Sequence, residues 1–206
     1  MIQQVITHLN QILDGMPYFS ENYGLCELKP KQNKGGEVVV PVQYIGGKWV
    51  QVPTNKYGLT YWRKTSDVTI EGVDSFSQCD VDYKHNFSLR LFAMTKRSQF
   101  PNDDAYSGER LAATLVKGLA LTGGNLKRQI KARHLAVRPS VYSTDTPQLL
   151  SDEFSGIKPN DFKHVDLVVA IEVDITIIMR QPCITDACNY VPQFCLKLES
   201  KVAIDA

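Results

Sequence analysis

The sequence predicts an α+β fold, with a mainly antiparallel sheet of long two-faced strands, helices packed on one face and long loops. The main observation is residues 165–180, VDLVVAIEVDITIIMR, where every odd position is apolar. Strict alternation predicts a long strand with one buried face and one mostly polar face. Residues 79–96 alternate in the same way. We therefore expect them to form a second long strand that pairs with the first.

Two amphipathic helices are expected to cover the apolar face of this sheet. The first spans residues 2–13 and stops before Gly15, and the second follows residue 104 and ends at Gly123 and Gly124. In each helix the apolar residues recur at the spacing of one helical face. They are Ile2, Val5, Ile6, Leu9, Ile12 and Leu13 in the first helix, and Leu111, Ala112, Leu115, Val116 and Leu119 in the second.

Shorter elements are predicted between these long ones. Residues 37–44 and 48–52 are rich in β-forming residues and flank Gly46-Gly47, which indicates a hairpin. Residues 68–70 favour a short strand. Residues 146–154, which carry Pro147 near their start, favour a short helix.

Two polar, glycine-containing stretches are predicted to be long connections. Residues 18–36 are rich in Lys, Asn, Gly and Pro, and residues 54–66 carry polar residues among Tyr57, Tyr61 and Trp62. No linker composition divides the chain, so we expect one α+β domain over residues 1–206. Within it, residues 183–206 are a candidate extended C-terminal tail.

Composition and charge narrow the function classes. A formal net charge of +1 gives no global attraction to nucleic acid or acidic lipid, so charge-driven binding has to be local. The start of the chain lacks the pattern of a signal peptide, and the longest apolar run is too short to span a bilayer. We therefore expect no membrane partner and a cytosolic origin. Five cysteines, an odd number, are expected to be free thiols.

Residues 125–138 form the most basic stretch of the chain, with cations at Lys127, Arg128, Lys131, Arg133 and Arg138. Its apolar residues fit a helix through Leu126 and Ile130, or a strand through Leu135 and Val137, and periodicity leaves both interpretations open. The stretch is a candidate contact for DNA phosphates or for an acidic partner. The simpler interpretation is a solvated charged face.

The polar faces of the two long strands carry the other candidate residues. Asp80, Asp82 and Lys84 project from one face of the first strand, and Asp82-Tyr83-Lys84 matches half of a metal-dependent nuclease site. Two carboxylates there would hold a divalent ion, and the lysine would polarise the attacking water. A match of three residues also arises by chance on a solvated strand. The second strand offers Asp166, Glu172 and Asp174, so both faces are candidate surfaces toward a channel or a neighbouring subunit.

Other chemistry finds less support in the sequence. Cys183, Cys188 and Cys195 have the spacing C-x4-C-x6-C, but a structural zinc site normally has four ligands in closer pairs, so reduced thiols are favoured. The chain has no G-x-S-x-G motif, Walker-type loop or G-x-G-x-x-G motif. We therefore expect a protein that is not an enzyme and has no metal or other cofactor.

The order of these elements resembles the head–tail connector and tail-terminator proteins of tailed phages, including the neck ring proteins of crAss-like phages. The resemblance covers a helix over residues 2–13, a hairpin around Gly46-Gly47, long strands over 81–93 and 165–179, and a helix over 111–121. It lies in element order and includes no sequence motif. The long loops and the cysteine-bearing tail exceed the compact family pattern.

This resemblance implies a structural virion protein that forms a homo-oligomeric ring in the phage neck. Its partners would be the portal, an adjacent neck ring or tail proteins, with DNA passing non-specifically through the channel. Its location would be the host cytoplasm during assembly and then the virion. The alternatives are the metal-dependent nuclease at Asp80, Asp82 and Lys84, and a nucleic-acid-binding module at residues 127–138.

Overall fold

A computed structural model describes most of the chain, which forms helices and a β-sheet. The described residues are 1–33, 36–73, 82–100, 106–121, 123–157, 162 and 165–180. The helices among them are α1 (Ile2–Asp14), α2 (Ser107–Ala120), α3 (Gly123–Gln129) and α4 (Thr146–Glu153), with a 3-10 turn at Arg97–Gln99. The strands are β1 (Glu21–Asn33), β2 (Gly36–Ile45), β3 (Lys48–Gln51), β4 (Leu59–Lys64), β5 (Thr69–Val73), β6 (Asp82–Thr95), β7 (His134–Ser143) and β8 (Leu167–Arg180).

The two long strands predicted from alternation form the centre of the sheet. β6 and β8 pair antiparallel along their whole length, from Asp82 opposite Arg180 to Thr95 opposite Leu167. The described strands follow the order β3-β2-β1-β4-β6-β8-β7, and β5 pairs with β6 in line with β4. One pairing, β1 with β4, is parallel and the others are antiparallel. The α+β prediction with a mainly antiparallel sheet is confirmed.

The prediction of a long exposed loop over residues 18–36 is wrong, because most of it is strand β1. Residues from Glu21 to Leu25 pair parallel with β4, and those from Cys26 to Asn33 pair antiparallel with β2. The two halves of β1 therefore have different neighbours, and no single buried face runs along the strand. This is why its sequence, with lysines and Pro30 among few apolar residues, shows no alternation.

The predicted polar connection over residues 54–66 contains β4, a fully paired strand inside the sheet. Tyr61 and Trp62 are adjacent in sequence and are both completely buried, on opposite faces of the sheet. The Trp62 indole N–H donates a hydrogen bond of 2.7 Å to Oδ1 of Asn10 in α1. A strand that is buried on both faces lacks a polar alternation, which explains why the sequence pattern missed it.

Helices α1 and α2 pack on one face of the sheet, as predicted, and α3 packs on the same face. They bury the odd-numbered apolar residues of β6 and β8 together with Trp62. The helical residues in this core are Val5, Ile6, Leu9, Leu13, Leu111, Ala112, Leu115, Leu119 and Leu126, and Ile130 joins them from the turn after α3. α2 ends at Ala120, and Gly123 begins α3 instead of ending α2.

A second core lies on the opposite face, which the sequence predicted to be mostly polar. There α4 and the valines of β2 cover Phe92 and Met94 of β6 and the first even-numbered residues of β8. The backbone N–H of Val39 donates to the carbonyl of Ser155, just after α4, at 2.8 Å. The sheet is therefore covered on both faces at this end.

The shorter predicted elements agree with the structure. The hairpin is β2–β3, the short strand is β5, and the short helix is α4, whose N-cap Asp145 accepts a hydrogen bond from the backbone of Gln148. Residues 125–138 contain both predicted elements, because helix α3 is followed by strand β7.

Cys26 is a buried free thiol. The tail over 183–206 lies outside the described residues. No helix within the described ranges is long and apolar enough to cross a bilayer.

Candidate functional surface

The even-numbered face of β6 and β8 changes character along the strands. Residues directly opposite each other across a strand pair share one face. Beyond the part covered by α4, this face carries polar side chains that are partly or fully exposed. We call this region the open face and define it by Lys84, Asn86, Ser88, Arg90, Glu172, Asp174 and Thr176. Of the six residues predicted as a channel or subunit-interface face, it contains Lys84, Glu172 and Asp174.

The polar residues of the open face pair with each other in rows across the sheet. Nε of Arg90 lies 2.7 Å from Oε2 of Glu172, and the Ser88 hydroxyl donates to Oδ1 of Asp174 at 2.6 Å. The Thr176 hydroxyl donates to Oδ1 of Asn86 at 3.0 Å. These rows join β6 to β8 along the same register as the backbone hydrogen bonds.

Neighbouring strands extend the rows on both sides. Nζ of Lys84 lies 3.3 Å from Oε2 of Glu71 in β5. The Thr65 hydroxyl, just after β4, donates to Oε1 of Glu172 at 2.5 Å. From β7, the Tyr142 ring stacks under the Arg90 guanidinium at 3.4 Å, a cation–π contact. Arg90 and Lys84 are therefore each paired with a carboxylate, while Asp174 accepts a hydrogen bond from Ser88 and makes no ion pair with a described residue.

A buried carboxylate marks the boundary between the covered end and the open face. Glu153 at the end of α4 is 3% exposed, pairs with the Arg63 guanidinium and accepts a hydrogen bond of 3.2 Å from the Tyr61 hydroxyl. Burial raises the pKa of Glu153, while Arg63 acts in the opposite direction. Burial also raises the pKa of the nearby Cys26 thiol to about 12, so this thiol stays protonated at neutral pH.

Arg63 and Arg90 sit directly opposite each other on β4 and β6. Like charges in this position repel. Each is neutralised by its own carboxylate, Glu153 for Arg63 and Glu172 for Arg90. The two carboxylates therefore offset the repulsion between the arginines where the covered end meets the open face.

The residues proposed for a nuclease site have other partners in the structure. Oδ2 of Asp82 accepts a hydrogen bond of 2.6 Å from Arg133, and Lys84 pairs with Glu71. Asp80 lies outside the described residues. Among the residues that are described, no three His, Cys, Asp or Glu side chains are close enough together to hold a metal ion. Oδ1 of Asp82 is buried and has no hydrogen-bond partner within that part of the chain.

Asp166 does not belong to the open face. It is exposed, lies one residue before β8, and its Oδ1 accepts a hydrogen bond of 2.7 Å from the backbone N–H of Arg97. Thr95, next to this site, pairs with Leu167 at the covered end of the sheet. Asp166 therefore caps the turn after β6 at the end of the sheet opposite to Lys84.

The predicted basic run divides into three environments. Arg133 is committed to Asp82, and Arg138 lies in the edge strand β7, directly across from Asp174 of the open face. Lys127, Arg128 and Lys131 are exposed at the end of α3 and in the turn after it, and make no ion pair with a described residue. We call these last three the basic cluster. The turn is closed by a hydrogen bond from the N–H of Ala132 to the carbonyl of Lys127, with Lys131 at a φ of 54°.

Sequence reasoning did not find Arg63, Thr65, Glu71, Tyr142 or Glu153, which complete these pairings. Each meets its partner through the sheet register or through α4, with separations of up to 107 residues along the chain. Only knowledge of which strands are neighbours could have indicated them. The candidate cysteines Cys183, Cys188 and Cys195 lie outside the described residues.

The polar groups of the open face lie in rows across an exposed sheet surface. No protein-family model matches the chain, and no curated protein matches it significantly.

Proposed function

We propose that this chain is a non-enzymatic structural subunit of a homo-oligomeric ring, of the head–tail connector or tail-terminator type in a phage neck. The observation that carries the proposal is the open face, a broad polar sheet surface on which Arg90 and Lys84 are each neutralised by a carboxylate. Such a surface can lie against a neighbouring ring or a DNA channel without leaving these two cations unpaired. The resemblance in element order supports the same assignment.

The basic cluster gives the subunit a separate place for an anionic partner. Its exposed cations lie beside β7, at the edge of the sheet, and not within the polar rows of the open face. Cations without a carboxylate partner favour DNA phosphates or an acidic protein surface. In a ring, we assign the open face to the sliding or stacking surface and the basic cluster to attachment.

Electron microscopy of the purified chain in negative stain tests the proposal. We expect closed rings with a central opening wide enough for duplex DNA, because identical subunits joined by one repeated contact close into a cyclic array. Compact particles without an opening at every concentration would contradict the assignment.

The nuclease alternative has its own test in the same preparation. Magnesium-dependent DNA cleavage that survives extensive purification and is lost in Asp82→Ala would replace the structural proposal. The Asp82–Arg133 pair supports the opposite expectation, since Asp82 is already engaged. Lys64→Ala, which removes an exposed ion pair with Asp67 away from the open face, is the control for non-specific loss.

A further inference from the structure

The left-handed turn after α3 has a lysine where helices often end on a glycine. Lys131 has a φ of 54° and is the only residue other than glycine with a positive φ among those that the structure describes. Its N–H donates to the carbonyl of Arg128 at 3.2 Å, and the N–H of Ala132 donates to the carbonyl of Lys127 at 3.1 Å. These two hydrogen bonds define a Schellman motif, whose left-handed position favours glycine because a Cβ atom crowds the backbone there. Lys131 therefore strains the turn in a way that glycine would not.

The stretch of chain around the basic cluster contains no carboxylate. Residues 110–144 include seven lysines and arginines and no Asp or Glu. Within this stretch, the three cations of the basic cluster make no ion pair with a described residue. Like charges on neighbouring turns of a helix repel one another. A bound polyanion would offset this repulsion.

The surface segment that carries the basic cluster has no apolar anchor. Within residues 124–134, Leu126, Ile130 and Ala132 are buried in the core, and every exposed residue is polar or glycine. Protein interfaces usually depend on a few large side chains packed at their centre. Binding to nucleic-acid phosphates can instead be driven by charge alone, through the release of counterions. Single strands stack their bases on aromatic rings, which this segment lacks, so the surface fits a duplex better.

We propose that the basic cluster binds the phosphate backbone of double-stranded DNA without regard to base sequence. Each of its three cations neutralises a phosphate, and the closed turn after α3 holds them at the edge of the sheet. Phosphate contacts position a protein on the duplex and carry no sequence information. The inference rests on the proposed function for its place in the ring, since it names the partner to which the basic cluster attaches.

Neutralising the basic cluster should weaken the salt dependence of DNA binding. The probe is a fluorescein-labelled duplex of mixed sequence, and its affinity for the full chain is measured by fluorescence anisotropy at several salt concentrations. Lys127→Gln combined with Lys131→Gln should reduce the slope of log affinity against log salt by about 1.8, and affinity at low salt should fall by roughly tenfold or more.

A double variant elsewhere on the surface is the matched control. Lys48→Gln combined with Lys117→Gln removes the same charge from exposed positions outside the basic cluster. We expect it to leave the slope close to the wild-type value. An equal reduction of the slope in this control, or no reduction in the cluster variant, would overturn the inference.

Substitutions at Lys131 separate binding from stability. Lys131→Gly removes both the charge and the strain, so we expect DNA affinity to fall while the urea midpoint of unfolding rises. Lys131→Arg keeps the charge and the Cβ atom, so both quantities should stay near the wild-type values. A lower midpoint for Lys131→Gly with unchanged DNA affinity would assign Lys131 to the fold alone and contradict its role in binding.

Competition against the labelled duplex identifies the class of partner. An extended chain of poly-L-glutamate has one charge per roughly 3.3–3.6 Å, whereas duplex DNA has one per roughly 1.7 Å. Unlabelled duplex should therefore displace the probe at a lower concentration of charge than poly-L-glutamate does. Stronger competition by poly-L-glutamate would indicate an acidic protein partner, and stronger competition by single-stranded DNA would indicate contacts to bases. Either result would overturn the inference.

The assembly state of the same samples separates this inference from the proposed function. Closed rings whose DNA affinity does not depend on the basic cluster would overturn the inference and leave the proposed function standing. Chains that bind duplex DNA through Lys131 but never form rings would contradict the proposed function and support DNA binding by the basic cluster.

Discussion

One face of the same two strands behaves differently at its two ends. At the covered end, Phe92 of β6 lies across from Ala170 of β8, and both are buried beneath α4 and β2. Farther along, Ser88 lies across from Asp174, and the face is open. The backbone pairing is continuous through both regions. The side chains therefore decide which end is covered by a second layer and which end stays exposed.

The comparison shows how a long strand can serve two purposes. Apolar residues on both faces make the covered end a sheet buried between two layers. Polar residues on one face leave the other end with a single helical layer. The ion pair of Glu153 and Arg63 lies between the part of the sheet that is covered on both faces and the part that is covered on one face.

The largest change in the free energy of unfolding is expected when a side chain at the covered end is truncated. Phe92 is buried and stacks on Tyr61 with centroids 5.0 Å apart. We expect Phe92→Ala to lower the free energy of unfolding by about 3–5 kcal/mol, because burial is reduced and a cavity remains. Asn86→Ala, in the open part of the same strand, should change it by less than about 1 kcal/mol. Urea denaturation measures both, and equal losses would erase the distinction.

The next largest effect is expected at the boundary. Arg63→Met leaves the Glu153 carboxylate buried without its cation, which should cost about 3 kcal/mol. Equilibrium unfolding at neutral pH measures this loss. The matched control is Lys64→Met, in which the neighbouring residue loses only an exposed pair with Asp67. A loss no greater than that of the control would mean that Glu153 is satisfied without Arg63.

The same boundary predicts a pH dependence. Because burial raises the pKa of Glu153, the folded chain binds this proton more tightly than the unfolded chain does. The stabilisation is present below the unfolded pKa near 4.5 and is lost as the pH rises through the folded value. The unfolding free energy of the wild type minus that of Glu153→Gln should therefore fall with rising pH and then level off. A difference that grows with pH would show that Arg63 outweighs burial.

A smaller effect is expected within the open face. Arg90 and Glu172 are each about one-fifth exposed, so their pair is partly screened by water. A double-mutant cycle with Arg90→Gln and Glu172→Gln should give a coupling free energy of about 1 kcal/mol. A coupling as large as the loss in Arg63→Met would place this pair in the stabilising core and not on a surface.

The smallest effect on folding is expected at the basic cluster. Lys127→Glu should change the unfolding free energy by less than about 0.5 kcal/mol, because its side chain is exposed. If the cluster binds DNA, the logarithmic salt dependence of binding should weaken by roughly 0.9 for each phosphate that is no longer neutralised. Lys117→Glu, an exposed reversal on α2, is the control. Assembly and binding that survive reversal of Lys127, Arg128 and Lys131 together would contradict the attachment role.

The sequence predicted the elements that keep one apolar face along their whole length. β6, β8, α1 and α2 each have one continuous apolar face, and period alone identifies such elements. β1 and β4 were missed because one changes neighbours midway and the other is buried on both faces. The open face was predicted as two polar strand faces, but Glu71, Thr65 and Arg63 were not, because their pairing depends on strand order.

The most direct test of the account is the solution mass of the wild-type chain, measured by light scattering at several concentrations. A ring subunit predicts one large species at a fixed multiple of 23.2 kDa, since a closed ring has a discrete number of members. A mass that stays at 23.2 kDa at every concentration, or one that grows without limit, would contradict it.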